Sequence, residues 1–132
     1  MDRIKAFFKG DQFAAHNGIE LVEVSPGLAR ARMTLRPTHC NGLNLAHGGA
    51  LFTLADFAFA LASNSHGTVA VAVNASITIL KATRAGTLVA EAREVSKSNR
   101  LGAYTVEVRD DAGDLVALFQ GLAYRKPDPL PV

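Results

Sequence analysis

The sequence predicts an α+β domain in which an antiparallel sheet wraps around one long central helix. Two patterns and the chain length point there. Residues 48–65, GGALFTLADFAFALASNS, form one apolar stretch of helical length in mid-chain. Around it lie short runs of alternating or β-branched residues separated by turn signals, the mark of strands. Such a helix and such strands bury their apolar faces most simply against each other, as layers. The 132 residues fit one domain, 1–132, which can close a core without disulfide or metal staples.

From the N-terminus, residues 2–16 read as one short helix. Asp2 can cap it, Ile4, Phe7 and Phe8 share a face, and Gly18 lies just past its end. Residues 19–25 and 28–35 read as strands about a Pro26-Gly27 turn of type II. In the second strand Leu28, Arg30, Arg32 and Thr34 alternate with Ala29, Ala31, Met33 and Leu35, a half-buried pattern. Residues 36–46 form a loop rich in Asn, Gly and Pro. The central helix follows. It is apolar on all sides, so it should be covered on nearly every face. Its alanines let a sheet approach closely. Residues 69–80, 87–95, 102–109 and 114–124 then make a four-strand meander, with Asp110-Asp-Ala-Gly113 as a hairpin turn. Three prolines within 126–132 predict a frayed tail.

Composition narrows the function classes. An apolar fraction of 48% beside 20% charged residues is that of a soluble globular domain. A net charge of +2, without a basic block, gives nucleic acid no footing. The apolar stretch 48–62 is shorter than the roughly 20 residues of a membrane span and contains Asp56, so no membrane partner is expected. The N-terminus is too charged for a secretory leader. One cysteine, Cys40, excludes an internal disulfide and agrees with a reducing compartment, so the expected location is cytoplasmic. His16, His39 and His66 read as surface or capping residues. With His47 they lack the spacing of a zinc site, and no metal is expected. There is no phosphate loop, serine elbow or dinucleotide fingerprint.

Asp56 stands out, set between Ala55 and Phe57 in the most apolar stretch of the chain. Carboxylates are rarely buried unless paired. Asp56 either meets solvent or a partner's cation, or it marks a site. His47-Gly48-Gly49 directly precedes the helix. Free N–H groups at a helix start carry partial positive charge and could stabilise an oxyanion developing on a carbonyl. The plainer alternative is a turn that needs glycine for packing. His47 and Asp56 are nine residues apart, about 13 Å of helical rise. Two antiparallel helices on a two-fold axis would bring one chain's Asp56 near the other's Gly48. Asn41 could orient a water, or only shape the Asn41-Gly42 turn, and Asn44 is equally ambiguous. Cys40 reads as a packing residue. Lys97, Ser98, Asn99 and Arg100 join two strands, and Lys81 and Arg84 lie near another strand end. Such basic loops either grip phosphates or are solvated hairpin charges.

The stretch NGLNLAHGGALFTLAD over 41–56, followed by FAFALASN over 57–64, resembles the signature of PaaI-type hotdog thioesterases, the phenylacetic acid degradation branch. The resemblance runs from about His16 to Tyr124. HGG alone is shared widely among hotdog proteins. HGG with an aspartate nine residues after its histidine and an asparagine six before it is far more specific. The resemblance implies a hotdog fold and hydrolysis of aryl- or medium-chain acyl-CoA, phenylacetyl-CoA-type substrates included. It makes Asp56 the nucleophile or general base and has the Gly48 N–H polarise the carbonyl. His47 would support that loop and the substrate carbonyl, Gly49 would be a substrate-binding residue, and Asn41 of the opposite subunit would hold the attacking water. It implies a homodimer as catalytic unit, assembled into a homotetramer. Coenzyme A enters as part of the substrate, and no separate cofactor is implied. Related thioesterases carry a Ser or Thr on the strand after the helix. Here Ala72 is the best match, so either Asn74 or Ser76 substitutes or the enzyme lacks that aid.

Two other readings stay in view. A hotdog enoyl-CoA hydratase or dehydratase would carry a His-Phe-Pro-Gly loop, absent here. A non-catalytic acyl-CoA-binding module would usually append a DNA-binding segment, and residues 2–16 are too short for one. Phe52, Phe57 and Phe59 either line an aromatic pocket or fill the core, and the core should take at least two of them.

Overall fold

Helix α3 (Gly48–Asn64) is the axis of the structure, a computed structural model that describes residues 1–131. Six strands curve around it: β1 (Ile19–Ser25), β2 (Leu28–Thr34), β3 (Thr68–Ile79), β4 (Thr87–Lys97), β5 (Leu101–Arg109) and β6 (Leu115–Pro129). They form one antiparallel sheet in the order β1-β2-β4-β5-β6-β3. The α+β architecture read from the sequence is the one observed. The four-strand meander is not. Only β4, β5 and β6 follow one another, while β3 joins the far edge beside β6. The loop after β3 crosses instead to β4 beneath the start of α3, where Thr83 is buried and its carbonyl accepts the Ala46 N–H at 2.7 Å. Hydrophobic pattern fixes which face of a strand is buried, but it does not choose the strand's neighbour.

The core lies between α3 and the inner face of the sheet. Leu51, Leu54, Ala58, Leu61 and Ala62 of α3 meet Ala29, Ala31, Met33, Ala90, Ala92, Val106 and Val108. The many alanines on both layers permit the close approach. Gly121 shows how close. A Cβ there would stand 2.7 Å from the Phe59 ring, so β6 needs glycine at this point. Phe59 also packs against Tyr104 and Phe119, each with ring centroids 5.6 Å away. The C-terminal end of α3 is fastened twice. Asn64 exchanges hydrogen bonds with Ala70, accepting its N–H and donating to its carbonyl. Beyond it, Glu94 accepts from the Tyr104 hydroxyl at 2.6 Å and pairs with His66 at 2.7 Å. Burial alone would push the Glu94 carboxyl up, but these hydrogen bonds hold it below the ordinary range.

The N-terminal segment departs from the single helix expected over 2–16. It forms two, α1 (Asp2–Phe8) and α2 (Gln12–His16). Asp2 is not a cap but lies inside the first turn; the capping carboxylate is Asp11, which accepts the Ala14 N–H at 2.9 Å. A short side chain that satisfies an orphan N–H starts a new helix more readily than it continues an old one.

The expected fraying of 126–132 is also corrected, as far as the described residues go. β6 runs to Pro129, which pairs with Thr68, and Leu130 is buried and donates its N–H to the Gly67 carbonyl. β5 begins at Leu101, opposite Tyr124, so the last stretch of β6 has a neighbour on one side only. A strand with one open side tolerates proline. Val132 lies outside the described residues.

Candidate active site

α3 begins where the sequence changes from loop to glycine. His47 has extended backbone, and its Nδ1 accepts the Gly49 N–H at 2.8 Å. Its carbonyl accepts from Ala50 and Leu51. The Gly48 N–H is left without an acceptor among the described residues. A larger residue would not fit there easily, since a Cβ on Gly48 would lie 3.3 Å from the Ile79 side chain. The helix start therefore presents one free, polarised donor with the small residue that keeps access open.

Asp56 lies eight residues further on. Coverage of α3 was expected on nearly every face, yet one stripe stays open in the single chain. Gly49 is exposed, and Phe52, Thr53, Asp56 and Ala60 are half-buried. The spacing 49, 52, 53, 56, 60 is one side of a helix. The carboxylate of Asp56 is pushed above the ordinary range by burial first and by the negative charge of Asp11 second, with no hydrogen bond lowering it. Thr53, one turn before it on the same stripe, turns its hydroxyl back to the Gly49 carbonyl at 2.7 Å.

Asn41 sits in the exposed loop before the helix. Its Oδ1 accepts the N–H groups of Leu43 and Leu45 at 2.9 and 3.1 Å, which holds the loop and leaves Nδ2 to point elsewhere. Arg84 reaches the same loop, donating to the Leu43 carbonyl at 3.4 Å. Lys81 is held between Asp110 and Asp114, at 2.5 and 2.8 Å, so it has no free charge to offer a phosphate. Lys97, Ser98, Asn99 and Arg100 turn between β4 and β5 at the other end of α3. There Arg100 donates to the Tyr124 hydroxyl and Arg125 to the Ser98 carbonyl, both at 2.7 Å. Asn99, Arg100, Arg125 and Lys126 line a cavity of about 280 Å³. Arg84 and this cluster are separated by the length of α3, 17 residues or about 25 Å.

Asn74 and Ser76 do not substitute for the missing hydroxyl. They pair with Leu122 and Gln120 and line a depression with Thr105 on the sheet face turned away from α3. A bulge between Ala72 and Asn74 sets this facing, because one extra residue flips every side chain after it. His39, expected at the surface or as a cap, is buried and does cap: its Nδ1 accepts the Arg36 N–H at the start of the Pro37–His39 turn, and its other ring nitrogen meets the Asn17 carbonyl. The charge acting on Asp56 that the residue pattern did not reveal is that of Asp11. The sequence signal was the Gly10-Asp11 pair, a breaker followed by a cap.

Residues 43–117 match the thioesterase superfamily. The chain belongs to that family. Acyl-coenzyme A thioesterase PaaI of Escherichia coli is 38% identical over 121 residues, 91% of this chain and 86% of that protein. The structure of E. coli PaaI, from the phenylacetic acid degradation operon, superposes with a TM-score of 0.93, covering 96% of this chain and 93% of that one at 36% identity. A point mutant of the phenylacetic acid degradation protein PaaI from Thermus thermophilus superposes at 0.83, covering 86% of this chain and 98% of its own at 40% identity. A Streptococcus mutans protein bound to acetyl CoA superposes at 0.80 with 26% identity, covering 84% and 90% of the two chains. The sheet wrapped around α3 is thus the hotdog fold of a PaaI-like thioesterase. Of the features above, the HGG helix start, Asp56 and Arg84 fall within the family-matched residues, whereas α1, α2, Asn41 and the end of β6 lie outside them.

Proposed function

We propose that this chain hydrolyses acyl thioesters of coenzyme A, aryl or medium-chain, with phenylacetyl-CoA-type substrates favoured, at a site shared between two copies of the chain. Asp56 carries the reading. It is a carboxylate halfway along an apolar helix, set on the helix's open stripe and unpaired among the described residues of its own chain. The name of the E. coli relative, an acyl-coenzyme A thioesterase, and the acetyl CoA bound to the S. mutans relative support the substrate class.

A thioester carbonyl needs little help. As the C–O double bond opens, negative charge grows on oxygen, and the Gly48 N–H with the positive end of α3 stabilises it. His47 keeps that N–H aimed outward by capping the next one. Asp56, ionised, either takes a proton from the attacking water or attacks the carbon itself. The C–S bond then breaks and the thiolate of coenzyme A leaves; where water attacked, the acid is released directly, and where Asp56 attacked, a water next cleaves the acyl–Asp56 anhydride to release the acid and restore the carboxylate. Asn41 of the opposite subunit offers its Nδ2 to the water. The basic turn over 97–100, with Arg125 and Lys126, takes the phosphates, helped by Arg84 from the other subunit's opposite end.

The shared site needs a homodimer, and β3 offers the means. It is an edge strand of 12 residues with Val71, Val73 and Ile79 exposed. An open apolar edge invites another strand, and two antiparallel copies of β3 would lay two copies of α3 side by side, pointing in opposite directions. Dimers of such dimers give the homotetramer implied by the resemblance.

A panel of acetyl-, hexanoyl-, phenylacetyl- and hydroxybenzoyl-CoA, followed by thiol release, tests the activity directly. Release from at least one member, abolished in Asp56→Asn, is the expected result. A folded dimer inert toward the whole panel removes the proposal.

A further inference from the structure

Beneath α1 and α2 the fold leaves a cavity of about 250 Å³. Phe57 of α3 lies at its base, with Phe8, Ala14 and Leu21 around it and Asp11 and Ala15 toward solvent. Phe8 stands edge-on to Phe57 with centroids 5.9 Å apart. It opens to solvent, with Lys5 and Lys9 on its rim beside Asp11. Here two consecutive alanines, Ala14 and Ala15, stand where larger side chains would close the space. The residues of α1, α2 and β1 that build it precede the superfamily match at 43–117, and Phe57 lies within it.

Its position is the informative point. Phe57 follows Asp56 directly in α3, so the cavity borders the turn that carries the carboxylate. Asp11 stands at both, lining the cavity and acting by its charge on Asp56. The size is below the usual 300 Å³ or so of a drug-sized site, too small for a whole coenzyme A ester but suited to its acyl part.

We propose that this cavity receives the acyl group of the thioester, an aryl group or a medium apolar chain, and that α1 and α2 thereby set the acyl preference. The proposal rests on Asp56 acting at the thioester carbonyl. It assigns Phe57 to the acyl pocket and leaves Phe59, buried against Phe119, to the core, while Phe52 stays half-buried on the stripe that carries Asp56.

Two variants that act in opposite directions test it. Ala15→Phe adds a ring at an exposed position and reduces the space. Leu21→Ala, at a half-buried one, enlarges it. The quantity to measure is the ratio of kcat/KM for phenylacetyl-CoA to that for acetyl-CoA, with decanoyl-CoA as a longer probe. A misfit of a methylene or more in an apolar pocket changes discrimination by about 10- to 200-fold. Ala15→Phe should therefore lower the phenylacetyl-to-acetyl ratio at least about tenfold, and Leu21→Ala should raise the decanoyl-to-phenylacetyl ratio. General damage to the enzyme cannot shift the two ratios in these opposed senses. Ratios that stay at the wild-type value in both variants, while the wild type turns over its substrates, overturn the cavity assignment alone. A wild type inert to every thioester overturns it together with the hydrolytic reading.

Discussion

The Gly48 amide and the Asp56 carboxylate belong to one helix, yet eight residues separate them, about 12 Å along its axis. No single copy of α3 can bring both to one carbonyl. If both act, each site takes its donor from one chain and its carboxylate from another. Mixing Asp56→Ala and Asn41→Asp subunits reads this out. Asn41→Asp keeps the oxygen that holds Leu43 and Leu45 and removes only the Nδ2 donor. Each parent should be inactive. After exchange at equal amounts, half the dimers are hybrids and each hybrid has one native site, so activity should return to about a quarter of wild type. Hybrids shown to form by mass spectrometry, yet without activity, would remove the shared site.

Asp56→Asn should lower turnover by about 10²- to 10⁴-fold, the range over which a positioned acid or base contributes. The same substitution should stabilise the protein. The folded-state pKa of Asp56 is raised, so the folded chain holds this proton more tightly than the unfolded one does. Its favourable contribution is fully present below the unfolded pKa and is lost as pH rises through the folded one. At neutral pH the carboxylate is therefore a burden on the fold that asparagine removes. Tm of the variant should exceed that of wild type by a few degrees near neutrality, with the gap closing in acid. An unchanged kcat, or a lower Tm at neutral pH, contradicts this account.

Asp11 offers a way to move the pH profile without touching the reacting groups. Its charge contributes to the raised pKa of Asp56, after burial. Asp11→Asn would keep the cap on the Ala14 N–H, since asparagine caps as well as aspartate does. The acid limb of kcat/KM for this variant should shift toward lower pH, so it gains on wild type at about pH 5 and matches it more closely at about pH 8. A shift toward higher pH, or none, means the two carboxylates do not interact in the working enzyme.

These residues also mark how far the sequence could be read. The alternation in β2 set Ala29, Ala31 and Met33 on one side, and that side is the buried one. The apolar stretch gave α3 to within one residue of its end. Period alone carries that information. What it does not carry is who pairs with whom. β3 went to the far edge because a crossing loop, not a hairpin, connects it to β4. For the same reason the facing of Asn74 was unreadable, since a bulge of one residue decides it. Asp11 was read as neither a cap nor a neighbour of Asp56: the periodicity of 2–16 passed over the Gly10-Asp11 break, and the long stretch of chain between Asp11 and Asp56 had to fold first.

The end of β6 is the clearest departure from composition, and it can be tested by removal. Pro127 and Pro129 signal a tail, yet Leu130 is 3% exposed, its N–H reaches the Gly67 carbonyl, and its own carbonyl accepts from Arg3 at 3.1 Å. A chain ending at Lys126 loses that buried leucine, worth about 1.5–3 kcal/mol, and two hydrogen bonds of about 1 kcal/mol each. Tm should fall by on the order of 10 °C. Arg3 belongs to α1, so the truncation should also loosen the N-terminal helix, which hydrogen exchange over residues 2–8 would show as faster. Leu130→Ala keeps both backbone contacts and should cost only the burial part, leaving exchange in α1 near wild type. A truncated chain as stable as wild type would mean that β6 ends in solution where its prolines begin.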